Sequence, residues 1–147
     1  MAGDTLRDAF RSELDAVIAA ASPAITWVRK ETLNTEENPD ASTGFFEIEF
    51  GDGFEEQYTF GAPGSNLHRE LAPVFIHAIT PLGRSETTRD LAETYLGQIR
   101  TAFRARRFAS GSRTIAIKGT GPMGGGEIEG GMWAETIALQ YEIYNVG

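Results

Sequence analysis

A glycine-rich stretch is the first place in this sequence where chemistry could reside. Residues 119–131 read GTGPMGGGEIEGG, with seven glycines among thirteen residues. The first six match the G-x-G-x-x-G pattern that holds pyrophosphate in dinucleotide-binding folds, which also needs a strand before it and a helix opening directly after it. Strands are predicted on both sides of this stretch, and its only charges, Glu127 and Glu129, repel phosphate. We therefore predict no nucleotide site and no bound cofactor.

The two histidines have no metal-site context. His68 and Glu70 have the His-x-Glu order of zinc deaminases, but the chain has no cysteine to complete such a site. The same absence excludes disulfides and thiolate metal sites. His77 lies within an apolar run and is predicted to be half-buried or at an interface. We predict no metal site.

Paired carboxylates are the remaining candidates for catalysis. Glu47 with Glu49, and Glu127 with Glu129, could serve acid–base chemistry or hold a divalent cation. Because i, i+2 spacing on a strand places both members on one side, each pair is predicted to face solvent or a subunit. No serine lies in a Gly-x-Ser-x-Gly elbow. Since no nucleophile, base and oxyanion site come together, we predict that the protein is not an enzyme.

A cluster of arginines lies near the end of a predicted helix, at Arg100, Arg104, Arg106 and Arg107. Cations at this end complement the helix dipole. The cluster could also contact phosphate, and capping and ion pairing explain it equally well. Its function stays open at this stage.

Composition limits the class of protein. The chain has 147 residues, which predicts one domain over 1–147, and a net charge of −8. Such a charge disfavours binding to duplex DNA, which depends on neutralising phosphates, but it permits a wall past which DNA slides. No apolar run approaches the ~18–20 residues that span a bilayer, and the acidic N-terminus is unlike a secretory signal.

Two amphipathic helices are predicted, over 4–21 and 85–108. The first is capped by Asp4 or Thr5 and ends before Pro23. Gly97 in the second helix is expected to mark close packing against a sheet. Seven apolar side chains should face that sheet: Phe10, Leu14, Ile18, Leu91, Tyr95, Ile99 and Phe103.

Strands fill most of the remaining chain. Residues 24–33 should form a short strand that enters the core through Trp27. In 45–50, FFEIEF, the alternation places Phe46, Ile48 and Phe50 on one side, and the GDG at 51–53 predicts a hairpin back into the next strand. Further strands are predicted at 74–79, 113–119 and 132–146. The fold class is α+β, with two helices on a mostly antiparallel or mixed sheet.

The glycine stretch is then predicted to be the mobile tip of a long hairpin. Its large apolar side chains, Met123 and Ile128, would anchor it on a partner, while Glu127 and Glu129 set the register. Ordering such a tip costs about 1–2 kcal/mol per residue, so it should become ordered only against an assembled partner.

The layout resembles the tail terminator proteins of long-tailed bacteriophages and related gene transfer agents. The resemblance rests on an N-terminal helix leading into ITWVRKETL, the strand FFEIEF, the segment VFIHAITPLGRSETTRDLAETYLGQIRTAFRARRF, and the closing TIAIKGTGPMGGGEIEGGMWAETIALQYEIYNV. These segments cover nearly the whole chain. They are similar to the family's central strand, Pro-x-Gly turn, long helix, closing strand, variable loop and last strand.

The resemblance implies a non-enzymatic virion protein that assembles in the bacterial cytoplasm. Members of the family form a ring, typically a hexamer, on the head-proximal end of the tail tube. The ring stops tube polymerisation and presents a surface to the head connector or neck protein, and DNA passes through its lumen without specific binding.

For this chain, Glu47 and Glu49 on one side and Arg104, Arg106 and Arg107 on another are predicted to form complementary patches between subunits. Two other interpretations remain open: another head–tail joining or tail tube protein, and a small-molecule-binding or catalytic α+β domain.

Overall fold

The computed structural model describes residues 2–30, 44–57, 67–81, 86–128 and 132–146, which form two helices and six strands. In chain order the elements are α1 (Ala2–Ala20), β1 (Phe45–Phe50), β2 (Phe54–Gln57), β3 (Leu67–Pro81), α2 (Glu86–Phe103), β4 (Arg107–Ser110), β5 (Arg113–Ile128) and β6 (Met132–Val146). The strands form one antiparallel sheet in the order β1-β3-β6-β5-β4, and β2 also pairs with β3. The predicted α+β class is confirmed.

Helix α1 packs its predicted apolar stripe against the sheet. Phe10 and Leu14 are fully buried and Val17 is nearly so, at the three- and four-residue spacing of one helical face. The helix begins at Ala2, before the predicted cap at Asp4 or Thr5. It ends at Ala20, ahead of Pro23, whose ring cannot continue a helix.

The apolar stripe of α2 begins one residue later than predicted. Leu91 is 36% exposed, whereas Ala92 is 1% exposed. Successive residues on a helix point about 100° apart, and here Ala92 faces the core while Leu91 lies outside the buried stripe. The prediction that Leu91 belongs to the core is wrong. The buried positions are Ala92, Tyr95, Leu96, Ile99 and Phe103.

Helix α2 also ends earlier than the predicted residue 108. After Phe103 the backbone turns at Ala105, which has a left-handed φ of 58°, and the Arg106 amide donates to the Phe103 carbonyl at 3.0 Å. A left-handed residue at this position ends a helix and redirects the chain. The unpredicted strand β4 follows. The turn was missed because it uses alanine, whereas glycine is the usual signal for this conformation.

The Gly51-Asp52-Gly53 segment is a bulge and not the predicted hairpin. Strands β1 and β2 both run antiparallel to β3, with register pairs Phe50↔Val74 and Phe54↔Leu71. Three residues of one strand therefore face two of the other, which is the definition of a bulge. A Cβ at Gly53 would lie 2.5 Å from the Leu71 carbonyl, so glycine is needed for close approach to β3.

The glycine-rich stretch is mostly a strand. Residues 119–128 continue β5 and pair with β6, from Gly119↔Gln140 to Ile128↔Met132, with register shifts after Ile117 and Pro122. The prediction of a mobile tip over 119–131 is therefore wrong for 119–128, while 129–131 lie outside the described residues. The glycine-rich segment forms a strand because it pairs with β6, and this pairing cannot be identified from the local sequence.

The main core lies between the helices and one face of the sheet. Val74 and Ile76 of β3 and Leu139 and Ile143 of β6 are fully buried on that face. A smaller cluster on the opposite face contains Phe45, Ile79, Met132 and Ala134. Since burying each large apolar side chain contributes ~1.5–3 kcal/mol, the helix-bearing face provides most of the hydrophobic stabilisation.

Residues 24–30 do not form the predicted strand, whose last residues, 31–33, lie outside the described residues. The backbone pairing of residues 24–30 with the sheet is one isolated parallel bridge, Arg29↔Phe46, in which the Lys30 amide donates to the Phe46 carbonyl at 2.7 Å and the Phe46 amide donates to the Val28 carbonyl at 2.9 Å. Trp27 is 6% exposed and packs edge-on against Tyr95, with ring centroids 5.2 Å apart. The predicted burial of Trp27 is confirmed.

Candidate functional site

Three strands contribute a hydrogen-bonded chain of polar side chains to the face opposite the helices. His77 on β3 lies between Glu49 on β1 and Thr136 on β6. Its Nε2 is 2.8 Å from Glu49 Oε1, and its Nδ1 is 2.7 Å from Thr136 Oγ1. The side chain of His77 is 20% exposed, which confirms the predicted half-buried position.

This order of carboxylate, imidazole and hydroxyl is that of a nucleophilic triad, but the three described strands that carry it place no backbone amide as an oxyanion donor. The backbone amides of β1, β3 and β6 lie in the plane of the sheet, so they do not point above the face where an oxyanion would form. Within the described ranges, no group of three or more His, Cys, Asp or Glu side chains could hold a metal ion. We interpret the hydrogen-bonded row of Glu49, His77 and Thr136 as a link between the three strands.

Glu47 lies on the same face, directly opposite His77 in the strand register. Burial raises the pKa of Glu47, His77 opposes this effect, and Glu49 adds a smaller increase. The Oε2 atom of Glu47 is buried without a hydrogen-bond partner among the described residues. The predicted separation of the β1 glutamates from the apolar Phe46 is confirmed. The cost of removing the ionised Glu47 carboxylate from water is only partly offset by its described neighbours.

Substituting Glu47→Gln is expected to stabilise the protein more at pH 7 than at pH 4. The pKa of Glu47 in the folded state lies above its ordinary value of 4.5, so the folded chain holds more protons than the unfolded chain in this window. The contribution of Glu47 to stability therefore falls as pH rises from about 4.5 through the folded-state pKa. Urea unfolding of both proteins from pH 4 to pH 7 measures the difference.

The matched control for this prediction is Glu93→Gln, which removes an exposed carboxyl from α2. Its effect on the free energy of unfolding should be small at every pH tested. If the Glu47→Gln difference stayed constant with pH, or became smaller toward pH 7, the buried carboxyl would not be the cause.

Basic side chains gather at the beginning of β4, where β5 extends past it. Arg104, Arg107 and Lys118 are exposed and line a pocket of about 390 Å³, together with the backbone of Gly119 and Thr120. No described carboxylate pairs with Arg104 or Arg107. Lys118 lies 3.9 Å from Glu142, at the outer limit of an ion pair. The pocket therefore presents two arginines that are available to an anionic group.

The other arginines of the predicted cluster act within the protomer. Arg106 donates from Nε to Glu13 Oε1 on α1, and Arg100 donates from Nε to Thr120 Oγ1 on β5 at 3.2 Å. The Arg106 and Glu13 side chains are 38% and 21% exposed. Arg106 is therefore paired with α1 within the protomer, and its assignment to a subunit interface stays a prediction.

The sheet separates charge between its two edges. Residues 31–57, which include β1 and β2, contain nine acidic residues and no Lys or Arg, whereas residues 94–126 contain six basic residues and no Asp or Glu. Since β1 and β4 are at opposite ends of the strand order, the described part of the acidic segment (44–57) includes one edge of the sheet, and β4 of the basic segment forms the other. We call these the acidic edge (β1–β2) and the basic edge (β4 and the start of β5).

The remaining predicted interface residues lie at the far end of the β5–β6 hairpin. The backbones of Met123, Glu127 and Ile128 belong to β5, and the register places Glu127 opposite Trp133. The docking role of these side chains stays a prediction. Glu129 lies outside the described residues.

A groove of about 830 Å³ separates the end of α1 from the middle of α2. Ala20, Ala21, Thr94 and Gly97 are among its lining residues. A Cβ at Gly97 would meet nothing within 4 Å, so the expected close packing of Gly97 against the sheet is wrong. Of the lining residues, Arg106 is the one with a charge, and the groove therefore lacks an acid–base pair.

Sequence reasoning missed Glu13, Asp52, Lys118 and Thr136. The acidic and basic runs could have been found by counting charge in windows along the chain. The contacts of Glu13 and Thr136 leave no local signal, because their partners are 93 and 59 residues away.

The geometry defines an α+β protein with two helices on one face of an antiparallel sheet and opposite charges at the sheet's two edges. A solved structure whose name describes no function is similar to it, with a TM-score of 0.61 and 18% identity over 97% of this chain and 96% of that one. At this identity, the similarity shows the fold. No family model and no curated protein matches the chain. No helix among the described residues is long and apolar enough to cross a membrane.

Proposed function

We propose that this chain is a tail terminator protein, a virion component that closes the head-proximal end of a phage or phage-like tail tube as a ring. The observation that carries the proposal is the placement of charge on opposite edges of one sheet. A molecule with complementary, non-identical edges associates head to tail, and such contacts close into a ring when the rotation between copies allows it.

In the proposed ring, the charges at the two edges orient neighbouring subunits and supply only a small part of their binding free energy. Exposed ion pairs contribute only ~0–1 kcal/mol each, so the acidic and basic edges act mainly on orientation and rate of encounter. The remaining affinity must come from shape complementarity along the edges. Ring formation is therefore expected to weaken as salt concentration rises.

The proposed ring, most simply a hexamer, binds the tail tube on one side and a head connector or neck protein on the other. By occupying the end of the tube it stops further addition of tube subunits. The net charge of −8 suits a lumen through which DNA passes, because like charge disfavours adhesion of DNA to the wall.

A tail tube protein, or another head–tail joining protein, is the second candidate. It is favoured by the long β5–β6 hairpin, whose strands span Arg113–Ile128 and Met132–Val146. Tube proteins build open stacks of rings and use long hairpins for contact between them. The two candidates therefore differ in the assemblies that the purified chain should form.

Electron microscopy and light scattering of the purified protein test the proposal. We expect isolated closed rings in low salt, and tails of uncontrolled length without attached heads in particles that lack this chain. Long tubes would support the tail tube protein instead. A monomer at every concentration, with normal tails in its absence, would contradict the proposal and favour a small-molecule-binding domain.

A further inference from the structure

The bulge between β1 and β2 presents one carboxylate at the acidic edge. Gly51 donates its amide to the Pro73 carbonyl at 3.0 Å, and the Cβ positions of Gly51 and Gly53 face β3. Asp52 between them is exposed and has no described cation as a partner. Bulges commonly redirect a side chain out of the regular alternation of a strand. Here the bulge leaves a carboxylate available on an edge already rich in acidic residues.

The pocket at the basic edge matches such a carboxylate in charge and size. Arg104 and Arg107 flank the turn at Ala105, and Lys118 lies across from them on β5. The walls also include Ala116, whose side chain is a methyl group, and Gly119, which has no side chain, so there is room for an incoming group. Guanidinium groups bind carboxylates with directed, charge-assisted hydrogen bonds.

We propose that this pocket binds Asp52 of a second copy of the same chain, so that Asp52 and the pocket form the repeating contact of the ring. The inference rests on the proposed ring and names the residues that join its subunits. A second copy is favoured over nucleic acid as the occupant because the chain carries −8 overall and supplies the matching acidic edge itself. Each subunit then contributes one carboxylate and receives one.

The contact is made by side chains and not by extension of the sheet. Beyond β4, strand β5 contains Pro122, which has no amide hydrogen, and its pairing with β6 is interrupted by two register shifts. Prolines and bulges are common devices that prevent edge-to-edge strand addition. The neighbouring copy therefore meets the pocket through Asp52, while its β1 strand stays out of the sheet.

Mixing two complementary variants tests the contact. Asp52→Asn removes the carboxylate without adding a charge, and Arg104→Glu/Arg107→Glu reverses the pocket. Each protein alone should stay monomeric, because one half of every contact is lost. An equimolar mixture should form 1:1 dimers, since the intact pocket of the first protein can still bind Asp52 of the second. Sedimentation velocity at low salt measures these species.

A charge reversal on the exposed face of α2, Glu93→Lys, serves as the control and should assemble like the unaltered protein. Rings formed by either interface variant alone, or a mixture that stays monomeric while the unaltered protein forms rings, would overturn the inference and leave the proposed function intact. Loss of duplex DNA binding without loss of rings in Arg104→Glu/Arg107→Glu would assign the pocket to nucleic acid. An unaltered protein that forms no ring would overturn both proposals.

Discussion

Replacing Phe10 with alanine is expected to lower the free energy of unfolding by about 3–5 kcal/mol, the usual cost of removing a fully buried phenylalanine. Phe10 has no exposed surface. Its ring centroid lies 5.0 Å from that of Phe108, 5.2 Å from Tyr141 and 6.0 Å from Phe50. Because these partners belong to β4, β6 and β1, one side chain of α1 joins three strands of the sheet.

Urea denaturation followed by circular dichroism measures the loss, and Leu91→Ala is the matched control. Leu91 is 36% exposed on α2, so its truncation should change stability by less than about 1 kcal/mol. Equal losses for Phe10→Ala and Leu91→Ala would contradict the burial that separates these two positions.

Reversing the charge of Arg106 is expected to destabilise the protomer by about 1–3 kcal/mol, because it leaves two carboxylates in contact at a half-buried site. In the folded chain, Arg106 Nε donates to Glu13 and so ties the turn after α2 to α1. The measurement is the free energy of unfolding of Arg106→Glu under conditions that keep the protein monomeric.

Arg107→Glu provides the comparison, since Arg107 is exposed and no described carboxylate pairs with it. Its effect on protomer stability should be within about 0.5 kcal/mol. The double exchange Glu13→Arg/Arg106→Glu should recover much of the stability lost in Arg106→Glu. If the double exchange recovered no stability, and Arg107→Glu lowered the free energy of unfolding by the amount expected for Arg106→Glu, the two arginines would have been assigned to the wrong roles.

These two arginines illustrate how assembly and folding can be separated. A change at Arg106 alters the protomer, so an assembly defect in that variant would be ambiguous. Changes at Arg104 and Arg107 act on an exposed pocket, and their effect on a ring can be assigned to the contact between copies.

Local patterns predicted the parts of the fold that depend on neighbours in sequence. The period of apolar residues gave α1 and most of α2, and strict alternation gave the two faces of β1. The end of α2 was missed because Ala105 adopts a left-handed conformation without a glycine. Leu91 was wrongly assigned to the core because an apolar residue type does not show whether a side chain lies within the buried stripe of α2 or beside it.

The sequence by itself determined the α+β class, the absence of thiolate chemistry and the acidic net charge, since these follow from composition and short-range periodicity. Only the tertiary structure decided that the glycine stretch through Ile128 is a paired strand, that GDG is a bulge, and that the acidic strand β1 and the basic strand β4 occupy opposite edges. It also joined Arg106 to Glu13, 93 residues away. Such contacts depend on which distant segments meet, and the free energy that selects them comes from burial and backbone pairing across the whole sheet.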